Sequence, residues 1–470
     1  MAREKRFEKM EAVVFVVVLL LLFSVVVNGQ PIQKINSPKG SKTVKSHQIW
    51  DVEYCKGLVS NKVAIDSMND IILIGVGGEG YTELPYAVVA KYGTDGKLKW
   101  ADHITARILP GSVSQVYAES YPMYKYTEIY STKQTLSSTP ATEQSQIDTE
   151  TSECKMTGNQ YVTATFSENQ RLFGGKWVRF YDVAIDENDN IVAVGEIQNR
   201  NTADKRIVYV VKYDSDGNVL WDRTYKRYCF GSRDVAMGVA IDSEDNIFVT
   251  VRSQEKDSEA YRGWILKLSS NNGAKISQSL YPDSSVIFSD IAVDSDDNLY
   301  VSVYYDTSGK MNVAKYSNDL NLLDEWGPAI RPIRPIAITV DQSDNVIVAG
   351  GIGYYGSEKQ YLMKFSPDGT LLWSNKSKDI GVWYDVIAIS PDVTAATGIS
   401  WADEVYGKFY VGLYNESGKE FKRLLAGHKT NLQCFFSYGL DLDSNGDIVV
   451  AGFRWYGGAL YFMHAMKFYL

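Results

Sequence analysis

The sequence predicts an all-β protein, a seven-bladed β-propeller of four-stranded antiparallel blades. Three observations carry that prediction. A short apolar run ending in Asp, then a polar turn and a second apolar run, recurs at Asp66, Asp186, Asp242, Asp294, Asp341 and Asp443, and more weakly at Ser390. From Asp186 onward the recurrences lie about 50 residues apart, a period that marks propellers and other repeat arrays. Two further runs follow in each unit, so a unit holds four strand-length segments joined by turns, which is one blade.

The first run is β-branched, as in Val239-Ala240-Ile241-Asp242. The turn after it, Ser243-Glu244-Asp245-Asn246, has side chains that bond nearby backbone and tolerate left-handed angles. The second run is Ile247 to Val251 in this unit. The third run ends in Lys plus an apolar residue: Lys91-Tyr92, Lys212-Tyr213, Lys267-Leu268, Lys315-Tyr316, Lys364-Phe365 and Lys467-Phe468. The unit at Ser390 departs here too, with Gly412-Leu413. Asp-Gly turns at Asp95-Gly96, Asp216-Gly217 and Asp368-Gly369 signal a hairpin into the fourth run, which carries Trp100, Trp221, Trp326 or Trp373.

The last unit reaches Leu470 just after its third run. At the other end, Ile49-Trp50-Asp51-Val52-Glu53-Tyr54-Cys55 reads like the fourth run Leu220-Trp221-Asp222-Arg223-Thr224-Tyr225. The N-terminal strand is therefore expected to complete the last blade and close the ring, which removes a free sheet edge.

The segment Gly238-Val239-Ala240-Ile241-Asp242 through Thr250 resembles the first half of the SBBP-type β-propeller repeat, and Tyr209 through Trp221 resembles the second. The resemblance covers most of residues 45–470 and is shared in part with NHL and quinoprotein propellers. The sialidase Asp box does not fit, because in Ser366-Pro367-Asp368-Gly369 the Gly comes one place early. The resemblance implies an extracellular propeller and no defined reaction.

Residues 1–29 read as a secretory signal peptide: Arg3, Lys5, Arg6 and Lys9 precede the apolar run Ala12 to Val27, and Val27-Asn28-Gly29 offers small residues for cleavage. As a helix that run would span about 24 Å, short of the roughly 30 Å bilayer core, so cleavage is favoured over an uncleaved membrane anchor. Residues 30–44 are a linker and 45–470 the propeller. The net charge of −9 argues against nucleic acid as a partner.

Asp66 and Asp186 are too far apart for one period, and residues 104–175 hold the excess as an inserted loop. Ser131 to Ser152 is polar and poor in apolar residues, which disfavours a packed core. Gln160 to Phe166 is a strand candidate, and a decayed extra blade is the alternative.

Four cysteines fall at junctions between units, and export makes disulfides possible. Neighbouring junctions predict Cys55–Cys434 and Cys154–Cys229; free buried thiols are the alternative in a reducing compartment.

Turns after the repeat Asp are short and uniform, whereas the loops on the opposite face vary and are expected to carry binding. A Gly recurs nine places after the repeat Asp, at Gly75, Gly195, Gly350 and Gly452. Aromatics crowd the loops beyond. Tyr81, Tyr86, Trp264, Tyr304, Tyr354, Tyr355, Trp401, Tyr406, Trp455 and Tyr456 are the candidate ligand-binding residues, the alternative being that they pack loops onto one another. No pair among His47, His103, His428 and His464 has metal-ligand spacing, and no nucleophile elbow or P-loop occurs. Asp182, Asp290 and Asp385 sit near the variable-face ends of first strands. Together they could hold Ca²⁺ in the central channel, or each could bond a neighbouring backbone.

The sequence thus predicts a secreted or cell-surface scaffold binding protein, peptide or glycan through its variable loops, with no catalytic residue identified. The alternative is a propeller hydrolase or lyase with a divalent cation in the channel.

Overall fold

A computed structural model describes residues 48–56, 58–77, 86–105, 168–172, 176–199, 206–226, 233–254, 260–354, 356–402, 405, 407–426, 434–455 and 461–470. The expected signal segment and linker, Cys154, Cys229, Tyr81, Tyr355, Tyr406, Tyr456 and the stretches 131–152 and 160–166 lie outside these residues.

The protein is all-β, built from small antiparallel sheets in sequential groups of four strands. The first group is β1 (Gln48–Lys56) standing apart, then β2 (Leu58–Ile65), β3 (Ile71–Gly77), β4 (Tyr86–Tyr92) and β5 (Leu98–Thr105). A fifth strand, β6 (Glu168–Leu172), adds parallel to the outer edge of β5, with Ala101 opposite Glu168. The stretch assigned to the inserted loop therefore contributes a strand at its C-terminal end.

The next quartets are β7 (Lys176–Ile185), β8 (Ile191–Asn199), β9 (Arg206–Tyr213) and β10 (Val219–Tyr225), then β11 (Arg233–Ile241), β12 (Ile247–Gln254), β13 (Tyr261–Leu268) and β14 (Lys275–Leu280). A further quartet is β15 (Val286–Val293), β16 (Leu299–Tyr305), β17 (Lys310–Tyr316) and β18 (Leu322–Trp326). After it come β19 (Ile333–Val340), β20 (Val346–Ile352) and β21 (Lys359–Phe365). The long strand β22 (Leu371–Ser390) ends that quartet and begins the next, continued by β23 (Val393–Ser400), β24 (Phe409–Tyr414) and β25 (Glu420–Ala426). The last three strands are β26 (Cys434–Leu442), β27 (Ile448–Trp455) and β28 (Tyr461–Phe468). Their fourth partner is β1, which pairs antiparallel with β28.

The repeat Asp organises its own turn. Asp186 Oδ1 accepts from the backbone N–H groups of Asn188 (3.0 Å) and Asn190 (2.9 Å). The residue before Asn190, Asp189, takes a left-handed φ of 59°, and the equivalent Asn69, Asp245, Asp297 and Asp344 do likewise. These residues also link quartet to quartet. Ser67 bonds Asp189, Glu187 bonds Asp245, Ser243 bonds Asp297 and Ser295 bonds Asp344. Ser444 of the last group bonds Asn69 of the first.

The Lys of the third strand closes on the repeat Asp in most quartets, while Lys267 reaches Asp242 through Asn318. The Nζ–Oδ2 distances are 2.7 Å for Lys91–Asp66, 2.6 Å for Lys212–Asp186 and 2.6 Å for Lys364–Asp341. The same ammoniums donate to the following quartet, Lys91 to Ser215 O and Lys212 to Ser270 O. Fourth-strand Trp side chains cover the next hairpin. A Cβ on Gly273 (φ +65°) would meet the Trp221 ring at 2.7 Å, and Trp221 Nε1 donates to Ser270 O at 2.8 Å.

Apolar residues from adjacent quartets fill the space between them, as where Ile72, Val89 and Trp100 meet Phe180, Val211 and Tyr213. First strands pack side by side in the order β2, β7, β11, β15, β19, β22, β26, and β26 packs in turn on β2.

The strand order bears on the predicted disulfide between Cys55 and Cys434. Cys55 lies in β1 and Cys434 in β26, at opposite edges of one sheet with β28 and β27 between them. Three strand spacings come to about 14 Å, against the roughly 7 Å that a disulfide spans between Cα atoms. This order stands against that pairing. The junction has an inner and an outer edge, and the two cysteines occupy different ones.

Candidate functional site

Every first strand carries a one-residue bulge at the same place. The register slips between Ser60 and Lys62, Phe180 and Asp182, Ala236 and Gly238, Phe288 and Ile291, Pro335 and Ala337, Trp383 and Asp385, and Ser437 and Gly439. Bulges re-aim side chains and cluster beside sites. The extra residues here are Asn61, Tyr181, Met237, Ser289, Ile336, Tyr384 and Tyr438, all half-buried.

The bulge explains the recurrent Gly of the second strand. A Cβ on Gly195 would fall 1.8 Å from Arg179 O, and one on Gly452 would fall 1.8 Å from Phe436 O. The distorted first strand drives its carbonyl into that position, and only hydrogen fits there.

Next to the bulges lies a charged belt. Lys62, Asp182, Gly238, Asp290, Ala337, Asp385 and Gly439 share one register position, so charged residues alternate with small ones after Lys62. Each carboxylate reaches past a small residue to the next first strand. Asp182 Oδ2 accepts from Val239 N (2.8 Å), Asp290 Oδ2 from Ile338 N (3.1 Å) and Asp385 Oδ2 from Leu440 N (3.0 Å). Asp441 Oδ2 accepts from Ile65 N (2.8 Å), and Asn61 Nδ2 donates to Phe180 O (2.7 Å).

The structure thus brings the three predicted Asp residues to one level and gives each a backbone partner. It also places Lys62 among them, with Nζ 2.7 Å from Asp385 Oδ1 and 3.9 Å from Asp182 Oδ1. Burial works to lower the Lys62 pKa, but Asp385, Asp182 and Asp290 overcome it and hold the ammonium above its ordinary range. Burial raises Asp182 and Asp290 against the pull of Lys62, and pushes Asp441 up to about 7. Among the described residues, no group of three His, Cys, Asp or Glu side chains is placed to hold a metal ion.

Above the belt, toward the variable face, strands β7–β9 and β11–β13 assemble arginines and tyrosines. Glu196 is fully buried opposite Arg179, with Arg179 Nη1 3.9 Å from Oε1 and Arg206 Nη1 3.5 Å from Oε2. Tyr181 donates its hydroxyl to Glu196 at 3.0 Å. Arg252 stands over the Tyr261 ring at 5.6 Å, and Arg233 Nη1 reaches Gln254 Oε1 at 3.5 Å. Burial, then Glu196, pushes the Tyr181 hydroxyl up to about 12, against Arg179, Arg252 and Arg206.

The predicted aromatics scatter. Tyr354 and Trp401 are exposed, at 79% and 43%. Tyr304 and Trp455 are half-buried, and Tyr86 opens β4. Trp264 is a core residue, 1% exposed, with Nε1 donating to Ser253 Oγ at 2.6 Å, so no ring face is presented there. His464 is likewise buried, against Phe409 and Phe435, and burial lowers its pKa to about 3.

Sequence reasoning missed Lys62 and the arginines. Lys62 was findable, because it stands four places before Asp66 just as Asp182 stands before Asp186. The arginines occupy different register positions on different strands, and nothing periodic marks them.

No protein-family model matches the chain, and no curated protein matches it. The resemblance to the SBBP-type repeat therefore rests on its motif residues. Among solved structures, polysaccharide lyase Uly1 aligns at TM-score 0.46 and 10% identity over 87% of this chain and 89% of that one. A Hadza microbial sialidase, Hz136, aligns at TM-score 0.43 and 11% identity over 73% of this chain and 63% of that one. A protein of unknown function from Dyadobacter fermentans aligns at TM-score 0.44 and 8% identity, over 90% and 99%.

Proposed function

We propose that the chain is a closed seven-bladed propeller, exported from the cell, that binds a protein, peptide or glycan at its variable loop face. The quartets are its blades, β1 is the clasp of the last blade, and the seven first strands line a central passage. Supporting closure are the pairing of β1 with β28, the packing of β26 on β2 and the Ser444–Asn69 bond.

The observation that carries the binding reading is the set of bulged residues. Seven side chains, among them Tyr181, Tyr384 and Tyr438, are turned out of the sheet ladder at one level and stay half-buried. Exposed Tyr354 and Trp401 extend apolar surface into the loops. Flat, stiff aromatic rings suit recognition at low entropic cost.

In the alternative reading, a channel cation serves a hydrolase or lyase. The Lys62 ammonium already brings positive charge to Asp385 and Asp182, and a divalent ion there would meet like-charge repulsion. This favours the binding reading.

The test is a panel of glycans and peptides against the secreted chain. Binding weakened by Trp401→Ala or Tyr384→Ala with an unchanged melting midpoint supports the proposal. Turnover of a panel member that depends on an added divalent ion and is lost in Asp182→Asn supports the enzyme instead.

A further inference from the structure

Resting on that binding reading, we propose that Arg252, with Arg206 and Arg233 beside it, forms a subsite for the carboxylate of an acidic sugar unit. The backbone juxtaposes the cations. Arg233 is the parallel partner of Arg206 where the two quartets join, and Arg252 lies opposite Val235, two residues further along β11. Like charges on paired positions of adjacent strands destabilise a sheet. Glu196 lies 3.5 Å from Arg206 and offsets part of that cost, and no such carboxylate stands beside Arg252 among the described residues.

Donors on Arg206 and Arg252 stay open beside the internal carboxylates among the described residues. Glu196 is shared between Arg179 and Arg206. Arg206 Nε is buried and has no acceptor among the described residues. Among the described residues Arg252 makes no ion pair, and its guanidinium stands 5.6 Å from the centre of the Tyr261 ring. A guanidinium carries N–H donors in a planar fork, which can grip a planar carboxylate through two parallel bonds.

Charge elsewhere selects the class of ligand. The chain carries −9 overall, and first strands around the molecule add the carboxylates of Asp182, Asp290, Asp385 and Asp441. A densely anionic peptide meets repulsion from that belt. A sugar chain with one carboxylate among many hydroxyls meets less of it, and the half-buried Tyr181 and Tyr261 stand nearby as aromatic surface.

The test measures binding of glucuronate- and galacturonate-containing oligosaccharides, the same oligosaccharides with the carboxyl reduced to the alcohol, and an oligoglutamate peptide. The proposal expects the acidic sugars to bind, and reduction to weaken them at least about tenfold, the loss of one charge-assisted bidentate contact. Arg252→Gln should match that loss without changing the melting midpoint. Arg252→Lys should fall between, since it keeps the charge and loses the planar fork. The affinity should also drop with added salt. Equal binding of reduced and acidic sugars, tighter binding of oligoglutamate, or an Arg252→Gln variant that folds and binds as wild type overturns the subsite. If neutral ligands still bind through Trp401 in that case, the broader binding reading survives. If nothing on either panel binds, both fail.

Discussion

Lys212 of β9 places its ammonium 2.6 Å from Asp186 Oδ2, with the two side chains 4% and 1% exposed. The pair ties the third strand of its quartet to the turn after the first, and Lys212 Nζ also donates to Ser270 in the next quartet. One ion pair thus holds a turn, a sheet and an interface. In the quartet where Ser390 replaces the Asp, Gly412 replaces the Lys. Both members are missing together, as expected if either alone is costly to bury.

Lys212→Met should destabilise the fold by about 3–5 kcal/mol, because it strands a buried carboxylate. Asp186→Ser should cost a similar amount. The double variant should cost clearly less than the sum, and denaturant midpoints of the four proteins measure this. Additive losses would mean that the pair is not a unit.

Gly195→Ala should cost about 3 kcal/mol or more, since the new methyl would sit 1.8 Å from Arg179 O and a backbone shift is required. The same change at Gly446, where a Cβ meets nothing within 4 Å, is strained only by its φ of +80° and should cost less. Thermal melts of the two variants compare them directly.

Trp221→Ala should cost about 3–5 kcal/mol, because the ring fills the space over Gly273 and its N–H bonds Ser270 O. Trp221→Phe should recover most of that loss, leaving about 1 kcal/mol for the missing hydrogen bond. Urea titration of both variants decides between packing and hydrogen bonding as the larger part.

Stability should be highest on the acidic side of neutral. A carboxyl harder to ionise in the folded chain than in the unfolded one takes up a proton on folding, so its contribution falls as pH rises. For Asp441 that window runs from the ordinary 3.8 up to about 7, and Asp182 and Asp290 act in the same sense. Asp186, Asp341 and Asp443 act oppositely. Burial raises them, but hydrogen bonds from Lys212, Lys364 and Lys467 prevail and lower them below 3.8, so their contribution is lost in acid below that value. The melting midpoint should therefore rise from pH 8 to pH 5 and fall below pH 4, and Asp441→Asn should flatten the upper slope. A midpoint that climbs steadily from pH 5 to pH 8 would contradict this assignment.

Much of this was legible in the sequence because the repeat prints the same residue at the same structural position. The Asp of Asp186, the Lys of Lys212 and the Trp of Trp221 formed visible columns, and the structure shows what each column contacts. The Gly195 column was visible too, but its cause was not, since a bulge leaves no mark in apolar periodicity. The candidate site was harder to read. Its residues differ from quartet to quartet, so Lys62 and Asp182 occupy one register with opposite charges, and only their common spacing to the repeat Asp reveals it. The cysteines show a geometric limit. Sequence order places Cys55 and Cys434 at adjacent junctions, but β28 and β27 separate their strands. Trp264 shows another limit, because a third-strand position can face the core as readily as the loops.

The central claim is that one closed ring is fastened by its N-terminal strand, and deleting residues 46–56 tests it most directly. The deletion strips β28 of its antiparallel partner β1. The account predicts a melting midpoint lower by about 5 °C or more, with increased hydrogen exchange along β28 and β26. A deleted chain that melts within about 1 °C of the undeleted protein, with unchanged exchange in those strands, would contradict it.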